Sequence, residues 1–285
     1  MKKFLILTSI LLCLTGCFKR DDMEDITIYT SVYPIEYITT ELYGENSKIN
    51  SIYPNGVNIN NYILNDKQIK DYSKTNMFIF NGLSSEKDYV SSMFRNNKNL
   101  MIIDSTQTME YTYKVEELWL DPSNFLMMAL NIKNGLSEYS SNHYLKEEIE
   151  NNYDTLKVNV SNIDAKLKLL SENADKKTLV VDNDLFKFLE KYGFTVISLE
   201  ETDTLTNKTV IDVETLIKNG NVKYIYTIDN ESLNNTVKNI IEKTNAEVIQ
   251  LHSISNLTEK ERNNKENYLT LYNENIELLK KELYN

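Results

Sequence analysis

The stretch HYLKEEIENNYDTLKVNVSNIDAKLKLLSE, residues His143–Glu172, decides the fold of this chain. It contains no glycine or proline, so no residue in it favours a break in a helix. Its apolar and aromatic residues recur at a spacing that places them on one helical face: Tyr144, Ile149, Tyr153, Leu156, Val160, Ile163, Leu167 and Leu170. At 1.5 Å per residue, such a helix is about 45 Å long. We therefore expect one rigid helix that joins two lobes.

Short β-rich runs alternate with helical patterns on both sides of this helix. The pattern predicts strands at 26–30, 49–53, 77–80, 100–104, 178–182, 195–198, 223–227 and 247–251. It predicts helices near 34–44, 65–75, 86–95, 121–133, 184–192, 211–219, 231–244 and 265–283. Such alternation is typical of parallel sheets that helices cover. The predicted fold class is α/β, with two lobes, each with a parallel sheet covered by helices, at 26–140 and 175–285, joined by the long helix at 141–174.

The N-terminus has the pattern of a bacterial lipoprotein signal. A pair of lysines precedes an apolar stretch that ends in the sequence LTGC at Cys17. This stretch is shorter than the roughly 20 apolar residues that a transmembrane helix needs. We expect a signal peptide at 1–16, lipidation of Cys17 and a flexible tether at 17–25. The protein would then be anchored on the outer face of the cytoplasmic membrane. An ordinary secretory signal with an incidental cysteine is the alternative.

Composition excludes several classes of protein. The net charge of −11 argues against nucleic acid or an anionic lipid surface as a partner. Cys17 is the last cysteine, so the exported chain has no disulfide framework and no thiolate metal site. The chain has no Gly-x-Ser-x-Gly motif, no glycine-rich phosphate loop and only two, widely separated, histidines. We therefore expect a monomer that is not an enzyme.

Five short motifs occur in a fixed order in the turns of the predicted lobes. They are TSVYP at 30–34, YPNGVNINNY at 53–62, FIFNGLSSE at 78–86, WLDP at 119–122 and FKFLEKYG at 186–193. Together with the anchor cysteine and the long helix, this set resembles the solute-binding lipoproteins of zinc and manganese ABC importers (the zinc-uptake, cluster A-I type, solute-binding family 9). The resemblance implies two α/β lobes that capture a divalent metal between them. It also implies delivery of the metal to a membrane permease driven by a cytoplasmic ATPase.

The same resemblance assigns the metal ligands position by position. The family's ligand positions match Asn60, Glu117, Asn183 and His252, with Asp184 as a substitute for Asn183. Zinc takes three or four imidazole, thiolate or carboxylate ligands, whereas asparagine oxygens suit harder cations. The expected site is therefore a diverged one, in which high-affinity zinc capture by the usual ligand set is not expected. Calcium or manganese would need Asp184 or Asp229 in addition.

Two functions follow from this sequence. The leading hypothesis is a lipid-anchored solute-binding protein of a metal ABC importer, with zinc or manganese as the ligand and a degenerate metal site. Because Asn60 and Asn183 stand where the family has stronger ligands, drift is as good an explanation as adaptation. The alternative is therefore a surface interaction or adhesin-like lipoprotein that keeps the fold and binds no ligand.

Overall fold

A computed structural model describes residues 23–229 and 231–284. The predicted signal, the anchor Cys17 and most of the predicted tether lie outside the described residues. The described chain has two four-stranded parallel sheets. The first, of order β2-β1-β3-β4, comprises β1 (Ile26–Thr30), β2 (Ser47–Ser51), β3 (Met77–Phe80) and β4 (Met101–Asp104). The second, of order β6-β5-β7-β8, comprises β5 (Thr178–Val181), β6 (Thr195–Ser198), β7 (Tyr224–Ile228) and β8 (Glu247–Leu251).

Helices flank both sheets, which confirms the predicted fold class. In chain order they are α1 (Tyr33–Tyr43), α2 (Asp66–Tyr72), α3 (Lys87–Asn96), α4 (Glu117–Leu120), α5 (Pro122–Tyr139), α6 (His143–Glu172), α7 (Asn207–Lys218), α8 (Asn235–Lys243), α9 (Glu259–Asn263) and α10 (Tyr268–Leu283). Two 3₁₀ segments, Gly44–Asn46 and Asp184–Tyr192, complete the set among the described residues. None of the described helices is long and apolar enough to cross a membrane.

The long helix α6 begins and ends where the sequence predicts. The Asn142 side chain accepts a hydrogen bond from the backbone N–H of Tyr144 and so caps the helix. The helix packs against α1, α5 and α10 and therefore touches both lobes. Its apolar face is buried as predicted except at Tyr153, which is half-buried, and at Tyr144, which is 80% exposed; Leu145 is buried in place of Tyr144. Tyr144 lies in the first turn, on the side of the helix away from the core.

Several predicted elements differ from the structure: the helix predicted at 121–133 extends to Tyr139, the helix predicted at 184–192 is a 3₁₀ segment, and the helix predicted at 211–219 begins at Asn207. The predicted strand 49–53 is observed at Ser47–Ser51, because Ile52 and Tyr53 are buried in the turn that follows. The predicted helix 265–283 is observed at Tyr268–Leu283, because Asn267 caps it by accepting the N–H of Thr270. The predicted helix 231–244 begins only at Asn235, because Asn234 caps it by accepting the N–H of Val237.

One apolar core runs through both lobes. It contains residues from β1 and β3, the buried face of α6, and β5, β8 and α10. A smaller cluster lies only in the second lobe, between its sheet and α7 and α8. The shared core is therefore the main apolar connection between the lobes.

A segment of the second lobe also crosses to the first lobe, and we call residues 253–268 the latch segment. The Trp119 Nε1–H donates to the Ser253 carbonyl at 2.8 Å, and Arg262 donates to both carboxylate oxygens of Glu36 at 2.7 and 2.8 Å. The Tyr268 hydroxyl donates to the Trp119 carbonyl. These bonds join the two lobes, and the cleft lies beside the latch segment.

Candidate ligand-binding cleft between the lobes

The cleft contains a cavity of about 310 Å³ that both lobes line, and we call it the outer chamber. Asn60 follows β2 and Glu116 follows β4, whereas Asn183 follows β5 and Glu231 follows β7. All four residues therefore come after the carboxyl end of a parallel strand, which is where open α/β sheets bind their ligands. Tyr111 and Tyr113 form part of its wall.

Glu116, rather than Glu117, faces this chamber. The Asn60 Nδ2 lies 3.5 Å from the Glu116 Oε1, so these side chains meet at the cavity wall. The Glu117 carboxylate is 8% exposed and accepts the backbone N–H groups of Thr112 and Tyr113, each at 3.0 Å. Glu117 therefore holds the loop that presents Glu116.

His252 lies apart from the outer chamber, and both of its ring nitrogens have partners. Its Nδ1 accepts the backbone N–H of Ile254 at 2.8 Å, which places the ring proton on Nε2. The Nε2 lies 3.1 Å from a carboxylate oxygen of Glu261. This ring therefore has no free lone pair in the structure for a metal ion.

Asn183 and Asp184 open the 3₁₀ segment of the second lobe. The Asn183 Oδ1 accepts the N–H of Leu185 at 2.9 Å, and its Nδ2 donates to Asp182 at 2.9 Å. The Asp184 carboxylate pairs with Lys187 at 3.0 Å. Of the predicted ligand positions, the structure brings Asn60 and Asn183 to one chamber and engages Glu117, Asp184 and His252 elsewhere.

The chamber is acidic and rich in oxygen donors. Partial desolvation and the Glu116 carboxylate raise the pKa of Glu231. Burial, together with the Glu231 and Glu200 carboxylates, raises the pKa of Asp182 to about 7. Lys114 is the lysine in the chamber wall, and it forms an ion pair with Glu200 of the other lobe. The chamber therefore favours a cation, and its free carboxylates come one from each lobe.

The donor set does not make a complete zinc site. Within residues 23–229 and 231–284, no group of three or more His, Cys, Asp and Glu side chains is arranged to hold a metal ion. Zinc in proteins is almost always bound by imidazole, thiolate or carboxylate ligands, four in structural sites and three with an open position otherwise. The set of Asn60, Glu117, Asn183 and His252 stays a prediction.

A second cavity of about 190 Å³ lies beside the first, inside the N-terminal lobe, and we call it the inner chamber. It shares Asn60, Tyr111 and Val115 with the outer chamber. Asn81 and Glu86 also line it, and they are 0% and 3% exposed. The two chambers are thus neighbouring cavities, and the three shared residues line both.

The turn after β3 shapes the inner chamber. The Gly82 N–H donates to Asp104 Oδ1 at 3.0 Å and to Thr106 Oγ1 at 2.9 Å. A Cβ at this position would lie 2.1 Å from the Asp104 carboxylate, so only glycine fits. This close contact fixes the turn in which Asn81 precedes the glycine.

Each of these two side chains has a buried atom with no hydrogen-bond partner among the described residues: Asn81 Nδ2 and Glu86 Oε2. The Asn81 Oδ1 accepts the Leu83 N–H at 3.0 Å, so the amide orientation is set by the turn. The Tyr53 hydroxyl donates to Glu86 Oε1 at 3.2 Å. Burial nevertheless raises the pKa of Glu86 to about 7. Both residues line the cavity, but the two unpartnered atoms are buried behind its surface.

Glu116, Glu231 and Glu86 are the site residues that sequence reasoning missed. Glu86 ends the FIFNGLSSE motif, and Glu116 is one residue from the predicted ligand position. Glu231 fell inside a predicted helix, although Asn234 is a good N-cap residue three positions later.

Two α/β lobes, one long joining helix and a polar cleft at the carboxyl ends of the strands define the class of two-lobed solute-binding proteins. The chain belongs to the ZnuA family, described as zinc-uptake complex component A, periplasmic, whose profile matches residues 28–282.

Several characterised proteins are similar to the chain. The zinc-binding protein AdcA of Streptococcus pyogenes serotype M6 is 21% identical over 295 residues, which cover 90% of this chain and 55% of AdcA. The manganese ABC transporter substrate-binding lipoprotein PsaA of Streptococcus pneumoniae is 22% identical over 231 residues, 75% of this chain and 74% of PsaA. The chain thus spans about half the length of the AdcA relatives.

The fold itself also has close neighbours among solved structures. The metal-dependent lipoprotein YcdH from Bacillus subtilis superposes with a TM-score of 0.75 at 18% identity, over 92% of this chain and 100% of that one. At this level of identity the likeness shows the fold, and the ligand has to be argued from the cleft.

Proposed function

We propose that this chain is the extracytoplasmic solute-binding component of an ABC importer of the zinc- and manganese-uptake type. The observation that carries the proposal is the acidic cleft, in a member of the ZnuA family, to which each lobe contributes a carboxylate: Glu116 and Glu231. The names of AdcA and PsaA point to zinc or manganese as the cargo. The protein captures its ligand between the lobes and releases it to a membrane permease.

The geometry gives this capture a driving force. Glu116 and Glu231 approach from opposite lobes, and the Glu116 carboxylate helps to raise the pKa of Glu231. A cation between them replaces this repulsion by attraction to both carboxylates, so binding favours the state in which the lobes are close. The core that both lobes share and the latch segment join the two lobes, so we expect the movement to be small.

The address of the protein is part of the same proposal. Lipidation at Cys17 would anchor the protein on the outer face of the cytoplasmic membrane, beside the permease. The protein acts there as a monomer and is not an enzyme. The N-terminal lobe at 26–140 and the C-terminal lobe at 175–285 enclose the ligand. The segment 141–174 is their rigid support.

A cell-based uptake assay tests this function. We expect bacteria that lack the protein to accumulate less radiolabelled zinc or manganese, and the wild-type gene to restore uptake. The double variant Glu116→Gln/Glu231→Gln and the single variant Cys17→Ala should fail to restore it. Glu242→Gln, which removes an exposed carboxylate on α8, is the matched control and should restore it.

Normal metal uptake without the protein would overturn the proposal. It would favour the ligand-free surface protein, for which the incomplete donor set of the cleft is the supporting observation. In that case the Glu116→Gln/Glu231→Gln variant would behave like the wild type in every uptake measurement.

A further inference from the structure

We infer that Lys114 is an internal counter-ion of the cleft, whose charge lowers the affinity for the metal ion and speeds its release. The inference rests on the proposed function, because it concerns the cation affinity of the same cleft. The Lys114 ammonium and a divalent cation are attracted by the same carboxylates, Glu116 and Glu231, and they repel each other. The two cations therefore compete for the cleft. Three observations support this role.

The first observation is the place of Lys114 in the wall of the outer chamber. Among the described residues that line this chamber, Lys114 is the only one with a cationic side chain. It shares a turn with Glu116, in which the Lys114 carbonyl accepts the N–H of Glu117 at 3.0 Å. The Glu117 carboxylate accepts the N–H groups of Thr112 and Tyr113, each at 3.0 Å. These bonds fix the turn, so Lys114 and Glu116 extend from one fixed stretch of backbone.

The second observation is the ion pair that Lys114 forms across the cleft. Its Nζ donates to Oε1 of Glu200 in the second lobe. The other oxygen of this carboxylate, Oε2, accepts the backbone N–H of Asp184 at 2.9 Å, so Glu200 is held by its own lobe. The side chains of Lys114 and Glu200 are 40% and 21% exposed. Ion pairs that water reaches so easily contribute little to the stability of a fold, so we expect the charge of Lys114 to act chiefly on the ligand.

The third observation is the electrostatic effect of Lys114 on both cleft carboxylates. Partial burial alone would lower the pKa of Lys114, but the ion pair with Glu200 and the charges of Glu116 and Glu231 raise it. In the same way, partial burial and Glu116 raise the pKa of Glu231, and Lys114 counteracts this shift. The ammonium group therefore stays charged and stabilises the two carboxylates. A metal ion that binds between them gains less than it would beside a neutral side chain.

A counter-ion of this kind suits a protein that has to release its ligand. The ammonium group and a bound divalent cation would share a chamber of about 310 Å³, so their repulsion opposes the attraction to Glu116 and Glu231. Among variants of one binding site, differences in affinity mostly reflect the dissociation rate. Lys114 therefore makes the metal ion leave faster and leaves in place the carboxylates that attract it.

Isothermal titration calorimetry of the metal-free, full-length protein tests the inference, with Zn²⁺ and Mn²⁺ as separate probes. Lys114→Met keeps the length of the side chain and removes its charge. We expect this variant to bind both ions about tenfold more tightly than the wild type, a change of about 1.4 kcal/mol in binding free energy. Stopped-flow transfer of the ion to a fluorescent chelator should show a dissociation rate about tenfold lower than that of the wild type.

Two control variants show whether the charge of Lys114 is responsible. Lys114→Arg keeps the charge and should bind both ions with the affinity of the wild type. Lys208→Met removes the charge of an 83% exposed side chain on α7 and should also leave the affinity unchanged. A tenfold gain in Lys208→Met would mean that the net charge of the whole protein sets the affinity, and a gain in Lys114→Arg would mean that the charge of Lys114 does not. Either gain overturns the inference.

A role of Lys114 in holding the lobes together predicts the opposite sign. If the bond to Glu200 served to close the cleft, Lys114→Met would bind Zn²⁺ and Mn²⁺ more weakly than the wild type. Weaker or unchanged binding by this variant therefore overturns the inference, and so does an unchanged dissociation rate.

The uptake assay keeps the two proposals apart. If cells need the protein for metal uptake but Lys114→Met binds the ions no more tightly than the wild type, only the inference fails. If uptake does not need the protein, and neither the wild type nor Lys114→Met binds Zn²⁺ or Mn²⁺, the proposed function fails and the inference fails with it.

Discussion

The polar groups on the latch side and on the cleft side of the lobe interface differ in whether they have partners within the protein. On the latch side, Arg262 makes a two-pronged hydrogen-bonded ion pair with Glu36, and Tyr268 is fully buried with its hydroxyl bonded to the Trp119 carbonyl. On the cleft side, Glu116 and Glu231 repel each other, and Asn81 and Glu86 keep unpartnered buried atoms. The latch contacts are satisfied by the protein itself, whereas these four groups of the cleft side are not.

This difference separates the residues that stabilise the fold from those that serve the ligand. A buried polar group without a partner costs about 1–3 kcal/mol, so a protein keeps several of them together only when something else is gained. The contacts of the latch segment raise the free energy of unfolding, whereas the unpartnered groups of the cleft side lower it. Changes on the latch side should therefore lower stability, whereas changes on the cleft side should lower it little or raise it.

The largest effect is expected from Tyr268→Ala on the latch side. The Tyr268 ring stacks on Phe125 with centroids 4.1 Å apart and on Tyr37 with centroids 5.6 Å apart. Removal of such a buried ring costs about 4 kcal/mol of the free energy of unfolding. Urea denaturation measures it. Tyr268→Phe keeps the ring and should lose only about 1 kcal/mol for the hydroxyl; equal losses in the two variants would refute the packing explanation.

The next largest effect is expected from Glu86→Gln on the cleft side, and this variant should raise stability near pH 7. Burial raises the pKa of Glu86 from its ordinary value of 4.5 to about 7. The folded protein therefore holds this proton more tightly than the unfolded chain. The contribution of Glu86 to the free energy of unfolding is greatest below pH 4.5 and is lost as the pH rises to about 7. The loss attributable to Glu86 is on the order of 3 kcal/mol. Glu86→Gln should remove it, as urea denaturation of the ligand-free protein between pH 5 and pH 8 would show.

Controls for this pH effect come from the other titrating groups. The pKa of Asp182 is also raised to about 7, by burial and by the Glu231 and Glu200 carboxylates, so its part of the pH dependence should remain in Glu86→Gln. Glu242→Gln should keep the whole pH dependence. A Glu86→Gln protein with the wild-type slope between pH 5 and pH 8 would contradict the burial of an ionisable Glu86.

A smaller loss is expected when the latch ion pair is weakened. Arg262→Lys keeps the charge but cannot donate to both oxygens of Glu36, so we expect a loss of about 1–2 kcal/mol. A double-mutant cycle with Glu36→Gln isolates the coupling between the two side chains. If the effects of the two changes on the free energy of unfolding are additive, the ion pair contributes nothing to the stability of the latch side.

Much of the scaffold follows from the sequence because local signals and tertiary packing agree there. The bounds of α6 are predictable because Asn142 is a good N-cap residue and the helix has no glycine or proline. The strand β3 is predictable because all four of its residues are apolar, as a strand covered on both faces requires. In each of these two elements, a single sequence pattern extends from the first residue to the last.

The site is harder to predict because it depends on shifts of one to four residues at the ends of elements. The capping box at Asn267 starts the C-terminal helix three residues later than the sequence pattern predicts. The cap at Asn234 leaves Glu231 in a loop that reaches the cleft. A change of one residue in such a turn decides which side chain faces the ligand, and no periodic pattern extends through a turn to fix it.

The smallest effect, and the sharpest test of the comparison, concerns the adjacent residues Glu116 and Glu117. Glu116→Gln removes repulsion against Glu231 and should change the free energy of unfolding of the ligand-free protein by less than about 0.5 kcal/mol, toward higher stability. Glu117→Gln weakens two hydrogen bonds from the loop backbone to a buried carboxylate and should cost about 1 kcal/mol. Thermal unfolding at pH 7 measures both. If Glu116→Gln destabilised the protein more than Glu117→Gln, Glu117 would belong in the cleft and Glu116 in the supporting role. The reason is that the protein loses stability only when the carboxylate that is removed makes contacts within the fold.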